Sequence, residues 1–261
     1  MGEHYTTQLQ AGLGMIEESI KLFDFWSDEK SSVELYNEAL ESGAFPNVTA
    51  RRLRNIVAEC FAPRFLKDDV IPAGVIKSLI EDGRQKEAEQ LFFIATARAN
   101  KILYDFIINV YWPSYLSFDS VISREDAISF INNALSNNKM KSSWSEGTVS
   151  RVGGYLLGCL SDFGLIDKEK RKKTRRLSTF RSLGLVNVVL AYDLHFRGLG
   201  DNSIISHSDW KLLGMDENDV RSELKRLSRN GYFIVQTASD VIRISWSYKT
   251  WKELLDVIIE S

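Results

Sequence analysis

The chain is poor in the residues on which catalysis and secretion usually rest. Its three histidines, His4, His195 and His207, lie far apart, and none belongs to an HExxH or related array. The glycine pairs Gly12-Leu13-Gly14 and Gly198-Leu199-Gly200 lack the Lys-Ser/Thr or the following helix that a phosphate-cradling loop needs. No paired carboxylates beside a lysine read as a nuclease centre, and nothing lifts a Ser-His-Asp arrangement above background. A non-enzymatic protein without metal or cofactor is the expectation. The two cysteines, Cys60 and Cys159, sit in apolar helical contexts without neighbouring Cys or His ligands, which argues against a disulfide framework and a zinc site and for a reduced, cytoplasmic protein. Met1 to Gln10 is polar and lacks the apolar core of a signal peptide. The most apolar long run, Ile102 to Phe118, is broken by Asp105, Asn109 and Pro113 and falls short of the ~20 apolar residues of a membrane span.

What remains is an ordinary globular composition, 44% hydrophobic and 26% charged over 261 residues, enough for two or three domains. The formal net charge of −2 hides a segregation. Residues 1–120 carry 12 Lys+Arg against 18 Asp+Glu, residues 121–186 carry 12 against 6, and residues 187–261 carry 9 against 11. A basic middle behind an acidic front is the asymmetry of a chain that offers one surface to a polyanion.

Helical periodicity dominates the front. Thr6 to Trp26 reads as one helix with a soft first turn; Ser31 or Ser32 caps the next; Asn47 or Thr49 opens a third that stops before Pro63. Arg51, Arg52 and Arg54 at that start suit either a phosphate grip or a solvated face. Gln85 to Trp112 is apolar nearly all round, as a central bundle helix would be, with Pro113 as the exit to the next domain.

The C-terminal stretch Trp210 to Trp246 reads as helix, turn, helix and β-ribbon, the order of a winged helix-turn-helix. Asp216 is the cap of the second helix, Val220, Leu224 and Leu227 its buried stripe, and Asn230-Gly231 its left-handed stop. Arg221, Lys225 and Arg229 lie on its exposed side among Glu217, Asp219 and Glu223, so this module alone is expected to bind DNA weakly. Val241 to Trp246 alternates, with Ile242, Ile244 and Trp246 on one side and Arg243 on the other.

The middle segment repeats this logic loosely. Glu146-x-x-Val149 opens a helix as Glu217-x-x-Val220 does, and Gly164-Leu165-Ile166 follows it as Gly231-Tyr232-Phe233 follows the other. Ser150, Arg151, Gly154 and Gly158 form a small-residue surface that suits close approach of a backbone or of another helix. Then comes the densest electrostatic signal: Lys168, Lys170, Arg171, Lys172, Lys173, Arg175 and Arg176 are seven cations in nine residues, with Arg181 close behind. Such a cationic hairpin can lie along phosphates and position a protein on a duplex without reading its sequence. A solvated loop and an acidic protein partner are the alternatives.

The expectation is therefore a mainly α protein: an N-terminal helical domain (1–120), a basic winged-helix-like unit (121–186) and a C-terminal winged helix-turn-helix (187–261). Its nucleic-acid-binding residues would be Lys168, Lys170, Arg171, Lys172, Lys173, Arg175, Arg176, Arg181, Arg151, Arg221, Lys225 and Arg229. Duplex DNA, bound largely through backbone phosphates, is the expected partner. An adaptor that docks other proteins is the first alternative. A transcriptional regulator is a weaker one, because no dimer arm is visible.

The opening Tyr5-Thr6-Thr7-Gln8-Leu9-Gln10-Ala11-Gly12-Leu13, with Glu17-Glu18-Ser19, the Thr49-Ala50-Arg51-Arg52 helix start, the Trp112-Pro113 pair and the winged end together resemble the BrxA family of bacterial BREX phage-defence systems. The resemblance spans essentially the whole chain but rests on pattern, and it carries no residue roles across. It implies a cytoplasmic, mostly helical, non-enzymatic protein that binds double-stranded DNA beside a methyltransferase, an ATPase and a phosphatase-like partner.

Overall fold

The computed structural model describes residues 4–67, 70–168, 173–238 and 241–260. The chain is mainly helical, as its periodicity predicts, with two short antiparallel strand pairs among the described residues. It divides into two compact units, Met1–Val70 with Phe92–Phe180, and Ile71–Leu91 with Arg181–Ser261. Among the described residues no helix is long and apolar enough to cross a membrane.

In the first unit the expected single helix from Thr6 to Trp26 is instead a 3-10 turn at Gln8–Ala11, a glycine-rich loop and a helix at Ile16–Phe25. The loop survives because its backbone groups are satisfied from elsewhere in the chain. Arg64, only 3% exposed, donates to the carbonyls of Gly12 (2.8 Å), Leu13 (2.8 Å) and Gly14 (3.1 Å), and Asp162 Oδ2 accepts from the Gly14 amide at 2.9 Å. Burial pushes the Arg64 pKa down, and the nearby Asp162 carboxylate opposes that shift.

Pro63 does not end its helix, nor does Pro113. Ala50–Asn55 passes into a π segment, Ile56–Phe61, and on through Ala62–Phe65; Lys101–Phe106 likewise passes through Ile107–Tyr111 into Trp112–Tyr115. Proline lacks an N–H and collides with the carbonyl four residues back, so a regular turn cannot hold it. The wider turn relieves that clash: the residue before each proline donates five residues back, Ala62 to Val57 and Trp112 to Ile107. The core beneath is aromatic, with Phe23 centred 4.9 Å from Phe61, 5.3 Å from Phe65 and 5.8 Å from Phe92. Each such ring, fully buried, contributes roughly 1.5–3 kcal/mol. Gln85–Ala99 crosses the division between the units and ends at Asn100, whose extended backbone (φ −130°) breaks the long helix expected up to Trp112.

The described residues of 121–178 run strand, helix, helix, isolated bridge, strand. β1 (Val121–Ser123) leads into Arg124–Ser136, which opens on a capping box between Ser123 and Asp126. Ser145 caps Glu146–Asp162 through the Thr148 amide (3.3 Å). Gly164, at φ +68°, turns the chain out of that helix. β2 (Thr174–Arg176) pairs antiparallel with β1 in the register Val121↔Arg176, Ile122↔Arg175, Ser123↔Thr174. On its other side the bridge Ile166↔Leu177, with Asp167 N–H donating to the Arg176 carbonyl (3.0 Å), adds a third strand-like segment.

The second unit holds Ala73–Glu81, Gly184–Phe196, Asp201–Ile205, a 3-10 segment at Ser208–Leu213, Glu217–Leu227 and the closing helix Trp251–Glu260. Asp216 caps Glu217–Leu227 as predicted, accepting from Asn218 (2.8 Å) and Asp219 (2.9 Å). A 3-10 turn at Ser228–Asn230 continues the helix, and Gly231, at φ +83°, ends it. β3 (Phe233–Ala238) and β4 (Val241–Trp246) form the expected hairpin, with Ile242 and Ile244 buried and Arg243 exposed. Tyr192 anchors it: its hydroxyl donates to the Tyr232 carbonyl, its ring lies 4.9 Å from Trp246, and burial pushes its pKa up to about 12.

Candidate nucleic-acid interface

The described residues on either side of the basic run are fixed by backbone pairing. Leu165 accepts from Ser178 N–H (2.9 Å), Ile166 bridges Leu177, and Asp167 meets Arg176, so Lys168 follows directly on this pairing and Lys173 directly precedes β2. Lys168, Lys173 and Arg176 are exposed. Lys170, Arg171 and Lys172 lie outside the described residues. Cross-strand partners share a face of a sheet, so Arg175, opposite the buried Ile122, sits on the covered side while Arg176 and Thr174 face outward. Arg175 is half-buried, and its Nη1 has no hydrogen-bond partner among the described residues.

Arg151 is exposed on Glu146–Asp162, the helix before the basic run. Val149, Val152, Leu156 and Leu160 are buried on one side of it, and the opposite side carries Gly147, Arg151 and Gly154. Of its glycines, Gly158 is occupied: a Cβ there would lie 2.7 Å from Leu13 Cδ1. Gly154 faces open space, with nothing within 4 Å of such a Cβ. Sequence reading passed over Arg124, which donates to Ser150 Oγ (2.8 Å) and to its carbonyl (3.1 Å) and so ties the two helices together. Its place directly after the Ser123 cap was the available signal.

Arg181 belongs to the second unit. There it lines a cleft of about 680 Å³ with Asp219, Glu223 and Arg226, two carboxylates facing two guanidinium groups. Arg221 is half-buried on Glu217–Leu227, while Lys225 and Arg229 are exposed. Two of the three helix carboxylates, Glu223 and Asp219, have other commitments. Glu223 is held by Arg226 (2.7 and 2.8 Å) and by the buried Asn187 (2.9 Å), and its pKa is lowered chiefly by the Arg226 hydrogen bond. Asp219 completes the capping box with the Asp216 amide (3.0 Å). Arg243, on the outer face of the hairpin, is a cation that the sequence reading placed without a role. Among the described residues no group of three or more His, Cys, Asp and Glu could hold a metal ion.

Against known proteins, the BrxA family model matches residues 3–180. BREX protein BrxA of Escherichia coli O9:H4 (strain HS) is 23% identical over 95 residues, which is 36% of this chain and 45% of that protein. The matched region thus spans under half of that relative. A crystal structure of an uncharacterized protein from Magnetospirillum magneticum has a similar fold, with a TM-score of 0.61 at 14% identity over 80% of this chain and 98% of that one. With the family model covering well over half of its residues, the chain belongs to the BrxA family.

Proposed function

We propose that the protein is a cytoplasmic, non-enzymatic accessory component of a BREX phage-defence system that binds double-stranded DNA largely through backbone phosphates. The observation that carries this reading is the order of elements over residues 121–178. That order supports a winged-helix reading, and β2 with the described residues before it bears Lys168, Lys173 and the outward Arg176. The helix before the basic run presents Arg151 beside Gly147 and Gly154, a surface with little side-chain bulk to keep a polyanion away. Cations so placed neutralise phosphates and release counterions, an affinity source that needs no base contact. Glu217–Leu227 with β3 and β4 repeats the winged order and adds Lys225, Arg229 and Arg243. Other BREX components, namely the methyltransferase, the ATPase and the phosphatase-like protein, would act beside it.

A specific feature supports a second reading, that of an adaptor for those components. Leu116 is 83% and Phe118 103% exposed on a loop held by its own hydrogen bonds, Ser120 Oγ donating to the Tyr115 (3.2 Å) and Ser117 (3.1 Å) carbonyls. Large apolar side chains held outward are the mark of a protein contact. Mobility-shift titrations of the whole protein on duplex, single-stranded and RNA probes at two salt concentrations separate the readings. Preferential, salt-sensitive binding to duplex is expected, and absence of duplex binding at low salt would leave the adaptor reading standing alone.

A further inference from the structure

Two helices in this chain open on the same Glu-x-x-Val pattern and close on a left-handed glycine, yet they turn different chemistry toward solvent. On Glu146–Asp162 the face opposite the buried stripe is mostly glycine, so beyond Arg151 it has few groups with which to recognise a base. Glu217–Leu227 differs. Its buried residues are Val220, Leu224 and Leu227, and stepping about 100° per residue around the axis puts Asn218, Ser222 and Lys225 opposite them, with Arg229 following on the 3-10 turn Ser228–Asn230 that continues the helix. All four are exposed. Asparagine and arginine are the side chains whose paired polar atoms match adenine N6/N7 and guanine O6/N7 in the major groove, and serine can donate to or accept from either.

What a base-reading face must avoid is a carboxylate aimed at the phosphates beside it. Asp219 and Glu223 point to the flank, toward the cleft shared with Arg181 and Arg226. Both are fixed there, Asp219 by its own helix cap and Glu223 by Asn187, a fully buried residue of the neighbouring Gly184–Phe196 helix. The buried amide and Arg226 together keep the negative charge off the outward face. Glu217, in the first turn, is exposed but lies more than about 90° around the axis from the centre of that face.

We propose that Glu217–Leu227 and the 3-10 turn Ser228–Asn230 that continues it form a base-reading segment, with Asn218 and Arg229 as its specificity-determining residues, so that the protein selects a short duplex sequence through its second unit while the cations of its first unit bind any duplex. This inference rests on the duplex-binding reading above. Selection of binding sites from a randomised duplex pool by the full chain is expected to enrich a short motif, bound at least ~tenfold tighter than random duplex. That ratio is about 1.4 kcal/mol. Asn218→Ala is expected to lower it several-fold while leaving affinity for random duplex and its salt slope unchanged. Arg229→Lys, which keeps the charge but loses the forked donor pair, is expected to lower the ratio as well. An unaltered thermal melt checks that each variant is folded. If the full chain binds duplex but enriches no motif, or if both variants keep the ratio, the inference is overturned and the duplex reading survives. If the full chain binds no duplex, both fall.

Discussion

Replacing Arg64 by leucine removes the side chain that donates to the carbonyls of Gly12, Leu13 and Gly14. Three carbonyls lose their donor at once, at 2.8, 2.8 and 3.1 Å. Hydrogen bonds to a charged group contribute roughly 1.5–3 kcal/mol each, which would put the gross loss at about 4–9 kcal/mol. Part of this returns, because a buried guanidinium with no full ion pair also costs desolvation free energy that leucine does not. The net expectation is a destabilisation of about 3–5 kcal/mol, in the range found when a buried charged network loses one member. The damage should travel. Leu13 packs on Gly158, and Gly14 is bonded to Asp162, the last residue of the Glu146–Asp162 helix, so the loop supports the C-terminal end of that helix. Urea denaturation gives the midpoint shift, and hydrogen exchange at the Gly14 amide reports the loop itself. A loss below about 1 kcal/mol with Gly14 still protected would refute the argument, because it would mean that the loop holds its shape without the guanidinium.

The remaining expectations are narrower. Gly158→Ala should destabilise by about 1–3 kcal/mol through overpacking against Leu13, whereas Gly154→Ala, with open space around it, should stabilise by about 0.5–1 kcal/mol and weaken duplex binding; thermal melts and anisotropy titrations read both. A stabilised Gly154→Ala variant with unchanged affinity would remove that face from the interface. Glu223 has a folded pKa below its ordinary value of 4.5, so its contribution is complete above that pH and is lost as pH falls through the depressed folded value. Glu223→Gln should therefore flatten the acid side of the stability profile below about pH 4.5 and leave its slope near neutrality unchanged; an unaltered acid limb would contradict the pairing.

Caps and turns were legible because their chemistry is local. Asp216 and Ser145 satisfy amides two or three residues away, and Gly231 supplies a backbone shape that other residues resist, so a short window of sequence suffices. The alternation of β4 announced its buried face for the same reason. The proline-bearing helices were not legible: whether Pro63 ends a helix or sits in a π turn depends on the packing that rewards continuing, here the Phe23–Phe61–Phe65 cluster. The candidate site divides along the same line. That residues 168–176 are basic is plain from sequence, but that Arg175 faces inward follows from pairing with a strand some fifty residues earlier. Glu223 looked like a liability on its helix until Asn187, from another helix, was seen to hold it. Leu116 and Phe118 carried no signal, since an apolar residue in sequence looks the same whether it packs or stands in solvent.

The most direct test of the account is the salt dependence of duplex binding by the whole protein and by Lys173→Gln/Arg176→Gln. Both side chains are exposed on the basic run, so both should neutralise phosphates. Each phosphate contact contributes about 0.9 to the slope of log K against log salt. The double variant is expected to bind more weakly at low salt, with a slope shallower by about 1.8, and with an unchanged thermal melt. Equal affinities and equal slopes for the two proteins would contradict the claim that this surface meets DNA.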